Sequence, residues 1–100
     1  MGVDVKGLVA VLRAVLTFLE RPGTDVTWSR YARPADAVAD VTRHLARVAA
    51  GDLTGLDDLG VLFGPTGALQ EISVDSGWGG EFLELAARFD RAIGVEPPTA

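Results

Sequence analysis

Apolar residues recur three and four positions apart through most of the chain, which is the spacing of amphipathic helices. From Val3 to Glu20 the apolar set is Val5, Leu8, Val9, Leu12, Val15, Leu16 and Leu19. Lys6, Arg13, Thr17 and Glu20 leave only a narrow polar stripe, so most of this helix needs cover. Arg21-Pro22-Gly23 ends it, and residues 22–33 read as a loop carrying Trp28, Arg30, Tyr31 and Arg33. Pro34 suits a first helical position. A second helix then runs to about Ala50, with Val38, Val41, Leu45 and Val48 as its seam and Asp36, Asp40, Arg43 and Arg47 opposite.

The second half is more broken. A short helix is expected over Leu53–Phe63, then a turn at Gly64-Pro65-Thr66-Gly67. Residues 68–75 are ambiguous: Ile72 and Val74 alternate as in a strand, whereas Leu69 and Ile72 share a helical face. After Ser76-Gly77-Trp78-Gly79-Gly80, a last helix is expected from Glu81 to Ile93, burying Phe82, Leu85, Ala86, Phe89 and Ile93 and pairing Glu84 with Arg88 outside. The pattern predicts a mainly α fold: a compact bundle of about four helices, with an irregular or briefly extended Gly-rich stretch at 64–80. One domain spans 1–95, and residues 96–100 form a loose tail.

Composition narrows the chemistry. One hundred residues make one domain, and 48% hydrophobic content supports a real core. The chain has no cysteine, which excludes disulfides, thiolate catalysis and sulfur-bound zinc and fits a cytoplasmic setting. Arg13 in the middle of the first apolar run argues against a membrane span, and no small-residue cleavage site follows it. Eight Arg against one Lys, and no Asn, is the bias of a GC-rich bacterial genome.

Asp36, Asp40 and His44 lie four apart on one helical stripe, a spacing that can hold a divalent metal and would serve a metal-dependent enzyme. Arg43 and Arg47 flank that stripe, which favours a solvated face instead, so no metal or cofactor is expected. There is no G-x-S-x-G elbow, phosphate-binding loop or dinucleotide fingerprint. The segment W-S-R-Y-A-R-P holds aromatics for stacking and guanidiniums for phosphate. The net charge of −5 opposes nucleic acid, and Trp28 and Tyr31 are expected to pin the loop to the core.

Charge is distributed unevenly. Residues 1–50 hold seven basic and five acidic residues, and residues 51–100 hold two and nine. No Lys or Arg occurs between Arg47 and Arg88. A negative region of this kind speeds encounter with a basic partner and repels nucleic acid. Asp57, Asp58, Glu71, Asp75, Trp78, Glu81 and Glu84 are therefore the candidate partner-binding residues, with Trp78 as an exposed anchor between glycines. The bland alternative makes Trp78 a core residue.

The stretch Leu62–Phe82, L-F-G-P-T-G-A-L-Q-E-I-S-V-D-S-G-W-G-G-E-F, with the preceding A-A-G-D-L-T-G-L, resembles a group of small uncharacterised bacterial proteins, a domain of unknown function, over about residues 45–82. That resemblance implies a helical fold and no catalytic residues. The functional expectation is a non-enzymatic cytoplasmic protein-binding module, of the immunity or antitoxin-like kind, set against a basic toxin. The alternatives are a homo-oligomerising structural domain and the metal-dependent enzyme.

Overall fold

The computed structural model describes residues 2–94. Their helices are α1 (Val5–Leu19), α2 (Pro34–Ala49), α3 (Leu56–Phe63), α4 (Ala68–Ser76) and α5 (Gly79–Ala92), with no strand among the described residues. The mainly α expectation holds, with five helices in place of about four. The tail at 96–100 lies outside the described residues.

The N-terminal helix is the central one. Leu8, Val11, Leu12, Val15 and Leu19 are buried along α1, which packs against both α2 and α5. Asp4 caps it by accepting the Gly7 N–H at 3.0 Å. The Asp4 backbone N–H donates to Ala92 O at 2.7 Å, joining the start of α1 to the end of α5. Lys6, Arg13 and Thr17 lie exposed along α1, and Val9 and Leu16 are partly buried beside the core. None of the helices is long and apolar enough to cross a membrane.

Within the 64–80 stretch, residues 64–67 form the expected turn, and the ambiguous residues 68–75 are helical. In α4, Leu69, Ile72 and Ser73 point inward, and Val74 is 58% exposed. Gly77 closes α4 in the left-handed region (φ 88°), and the Trp78 N–H returns to Ser73 O at 2.8 Å. The α3–α4 turn depends on Gly67, where a Cβ would overlap the carbonyl oxygens of Val61 and Leu62. Glu84 and Arg88 do not form the expected ion pair: every salt bridge among the described residues lies within residues 30–58.

Aromatic rings run through the core in series. Phe18 stacks on Trp78 at 4.7 Å, Trp78 meets Phe82 edge-on at 6.2 Å, Phe82 neighbours Phe63 at 5.9 Å, and Phe63 stacks on Phe89 at 4.3 Å. Such offset and edge contacts add to what area burial alone supplies.

Candidate functional site

Two features stand out on this frame: a polar cluster under the loop between α1 and α2, and an exposed tryptophan on that loop. Thr24 begins the loop by donating its hydroxyl to Leu19 O at 3.0 Å. The Asp25 N–H donates to Ser76 Oγ at 2.9 Å, fastening the loop to the end of α4. Val26 is buried, and the Ser29 hydroxyl bridges Val26 O and the Tyr31 N–H.

Asp40 is the centre of the cluster. It was expected on the solvent side of α2, yet it is only 8% exposed. Tyr31 donates its hydroxyl to Asp40 Oδ2 at 2.6 Å, Arg30 donates to the same oxygen at 3.2 Å, and Arg43 donates to Oδ1. Burial works to raise the Asp40 carboxyl, but the bonds from Tyr31 and Arg30 and the charge of Arg43 outweigh it and hold the group below the usual carboxylate range. Burial, with the bond to Asp40, pushes the Tyr31 phenol up to about 12.

His44 is also inside, 3% exposed, with Nε2 2.9 Å from Asp58 Oδ2 on α3 and 3.9 Å from Asp40 Oδ1. The sequence grouped Asp36 with Asp40 and His44. The structure brings Asp58 in its place, and Asp36 instead accepts the Arg33 N–H at the start of α2. Ligand atoms of Asp40, His44 and Asp58 lie within 4.8 Å of one another, so the geometry could admit an ion. The electrostatics oppose it. Arg43 and Arg30 both pair with Asp40, and Arg30 also lies 3.7 Å from Asp58 Oδ2, so a divalent cation would face two guanidiniums. The donor set is matched within the protein, and the cluster joins the loop, α2 and α3.

The two tryptophans exchange the places the sequence suggested. Trp78, expected as an exposed anchor, is 1% exposed in the aromatic series, and its Nε1 has no hydrogen-bond partner. It cannot serve as a surface contact. Trp28, expected with Tyr31 to pin the loop, is 76% exposed, and Tyr31 and Val26 do the pinning. Beside Trp28 lies a depression of about 240 Å³ lined by Arg30, Val61, Ala68 and Glu71, with Val61 63% exposed. The other candidate partner-binding residues, Asp57, Asp58, Glu71, Asp75, Glu81 and Glu84, are all on the surface. Asp58 is partly committed to His44 and Arg30. The guanidiniums of the W-S-R-Y-A-R-P segment pair within the protein, Arg30 with Asp40 and the more exposed Arg33 with Asp36 at 3.3 Å.

Scans of family models, curated proteins and solved structures each find no match to this chain. The resemblance over residues 45–82 therefore rests on its motif alone.

Proposed function

We propose that this chain is a non-enzymatic protein-binding module whose partner presents a basic surface. The observation that carries the reading is Trp28, a large apolar ring 76% exposed on a loop anchored at both ends. An exposed aromatic on a fixed backbone loses little entropy when covered, and tryptophans are over-represented among residues that dominate binding energy. Its neighbours Val61 and Glu71 belong to the acidic half, which has no base between Arg47 and Arg88. The rim carries Glu71 and an Arg30 already paired with Asp40, so the apolar centre and the acidic half beside it suit a basic polypeptide. The most concrete form is a cytoplasmic immunity or antitoxin-like inhibitor that masks the nucleic-acid cleft of a basic toxin. The near-complete burial of His44, which keeps the one imidazole of the chain away from solvent, supports a non-catalytic reading.

Co-purification of the tagged chain from its host at low salt tests this. A basic partner is expected with the wild type, and is lost from Trp28→Ala and from the Glu71→Lys/Asp75→Lys double variant. Recovery of no partner, of an acidic partner, or of one that all variants retain equally overturns the proposal.

A further inference from the structure

A second concavity lies on the other side of the α3–α4 turn, between α3 and α5, with a volume of about 360 Å³. That is at the lower end of the roughly 300–1,000 Å³ of ligand-binding clefts. Its floor is the stacked set Phe63, Phe82 and Phe89, and its rim includes Leu83, which is 61% exposed. On α5, Leu83, Ala86, Asp90 and Ile93 fall three or four apart along the stripe that lines it. Among the described residues, Asp90 is the only charged one in the lining, and its carboxylate makes no hydrogen bond or ion pair with them. Asp57 lies on the same stripe of α3 as Gly60 and Gly64, which form the opposite wall.

Gly60 sits inside α3, where only proline is less favourable to a helix. A Cβ there would meet nothing within 4 Å. The fold therefore gives no internal reason for glycine at this position. What glycine does provide is an open wall that lets another backbone come close.

We propose that this groove seats an amphipathic helix of a protein partner, with apolar residues three or four apart on the aromatic floor and a neighbouring Lys or Arg on Asp90. The charge of Asp90, with Asp57 beyond the Gly60 wall, selects a basic helix over an acidic one. With no strand among the described residues, the fold offers no edge for an extended peptide to extend. The inference rests on the basic-partner reading above and assigns that partner a second contact, separate from Trp28.

The test uses the full isotope-labelled chain and a short synthetic peptide of Leu and Lys at amphipathic helical spacing, followed by amide shifts. Shifts are expected at Phe63, Leu83, Ala86 and Asp90. Gly60→Leu, whose Cβ meets nothing within 4 Å and whose side chain would occupy the open wall, weakens binding at least about tenfold. Asp90→Asn weakens it about two- to fivefold, an effect that salt erases. A peptide with Glu in place of Lys does not bind. Thermal melts of Gly60→Leu no lower than wild type exclude unfolding as the cause. If the Leu/Lys peptide binds Gly60→Leu as well as wild type and its shifts map to Trp28, the groove is wrong and the basic-partner reading stands. If it does not bind the wild type at all, the groove falls and the basic-partner reading is decided by the co-purification; equal binding of the Glu peptide overturns the charge selection that defines the groove's occupant.

Discussion

Trp78 lies between Phe18 at 4.7 Å and Phe82 at 6.2 Å, whereas Trp28 presents 76% of its surface to solvent. The two regions are organised in opposite ways. Around Trp78, rings from α1, α5 and the α4–α5 junction converge, and packing holds the side chain in place even though the indole N–H finds no acceptor. Around Trp28 little packing holds the ring, and its loop is held by buried Val26 and by polar bonds at Thr24, Asp25, Tyr31 and Arg30. A side chain that contributes to the core can tolerate an imperfect polar atom. One held in the open by a well-bonded loop has no role in the core, and that is the reason to look for its role outside.

The sharpest way to break the comparison is truncation of the buried ring. Trp78→Ala is expected to cost about 3–5 kcal/mol, a large share of the roughly 5–15 kcal/mol that holds a domain of this size. Urea unfolding followed by circular dichroism measures it. Trp78→Phe should cost clearly less, because it keeps much of the aromatic contact and removes the unpaired N–H, whose burial costs about 1–3 kcal/mol. If Trp78→Ala is as mild as a surface change, the aromatic series does not organise the core.

The polar anchoring of the Trp28 loop gives the next largest effect. Asp40→Ala leaves the Tyr31 hydroxyl and two guanidiniums without their shared acceptor, at an expected cost of about 1.5–3 kcal/mol. Because the Asp40 pKa is depressed in the folded protein, its contribution is present above the unfolded value near 4 and is lost as pH falls through the lower folded value. Unfolding free energies measured from neutral pH into acid should therefore decline less steeply for Asp40→Asn than for wild type.

Tyr31 reports on the same anchor from the alkaline side. It is the only tyrosine, so the rise in near-ultraviolet absorbance on forming tyrosinate, above a constant contribution from the two tryptophans, follows it alone. Its ionisation is expected at about 12 in the native protein and about 10 in denaturant. The neutral phenol is the form the fold favours, so this stabilisation is complete below about pH 10 and is lost as pH rises towards 12. A native midpoint near 10 would mean that the Tyr31–Asp40 bond does not hold the loop.

Periodicity made α1, α2 and α5 legible because apolar residues recur three and four apart in each, although α2 also buries Asp40 and His44, and Pro34 marked the start of α2 to the residue. In α4 the signal is inverted: Ser73 is buried, satisfied by donating to Gln70 O at 2.8 Å, while Val74 is outside. That exchange produces a false alternation with Ile72. The glycines around Trp78 describe the backbone, as Gly77 confirms, and carry no information about the rings that arrive from Phe18 and Phe82. Nor could helical spacing show that Asp58 from α3 takes the place of Asp36 beside His44, since that pairing exists only once α2 and α3 are packed. The acidic second half was legible in full because it is a property of composition.

The smallest expected effect on stability belongs to Trp28, and that smallness is what the functional reading needs. Trp28→Ala removes a ring that touches little, so its unfolding free energy should stay within about 0.5 kcal/mol of wild type. A single-tryptophan pair checks the surroundings independently: with Trp78→Phe the remaining indole should emit as a solvated ring and be readily quenched by acrylamide, and with Trp28→Phe the remaining indole should emit further to the blue and resist quenching. A loss above about 1 kcal/mol in Trp28→Ala would return Trp28 to the role of a pin and remove the main reason for placing a partner there. Unchanged stability with lost partner binding is the combination that a core residue cannot produce, because a residue that only supports the fold affects binding through stability first.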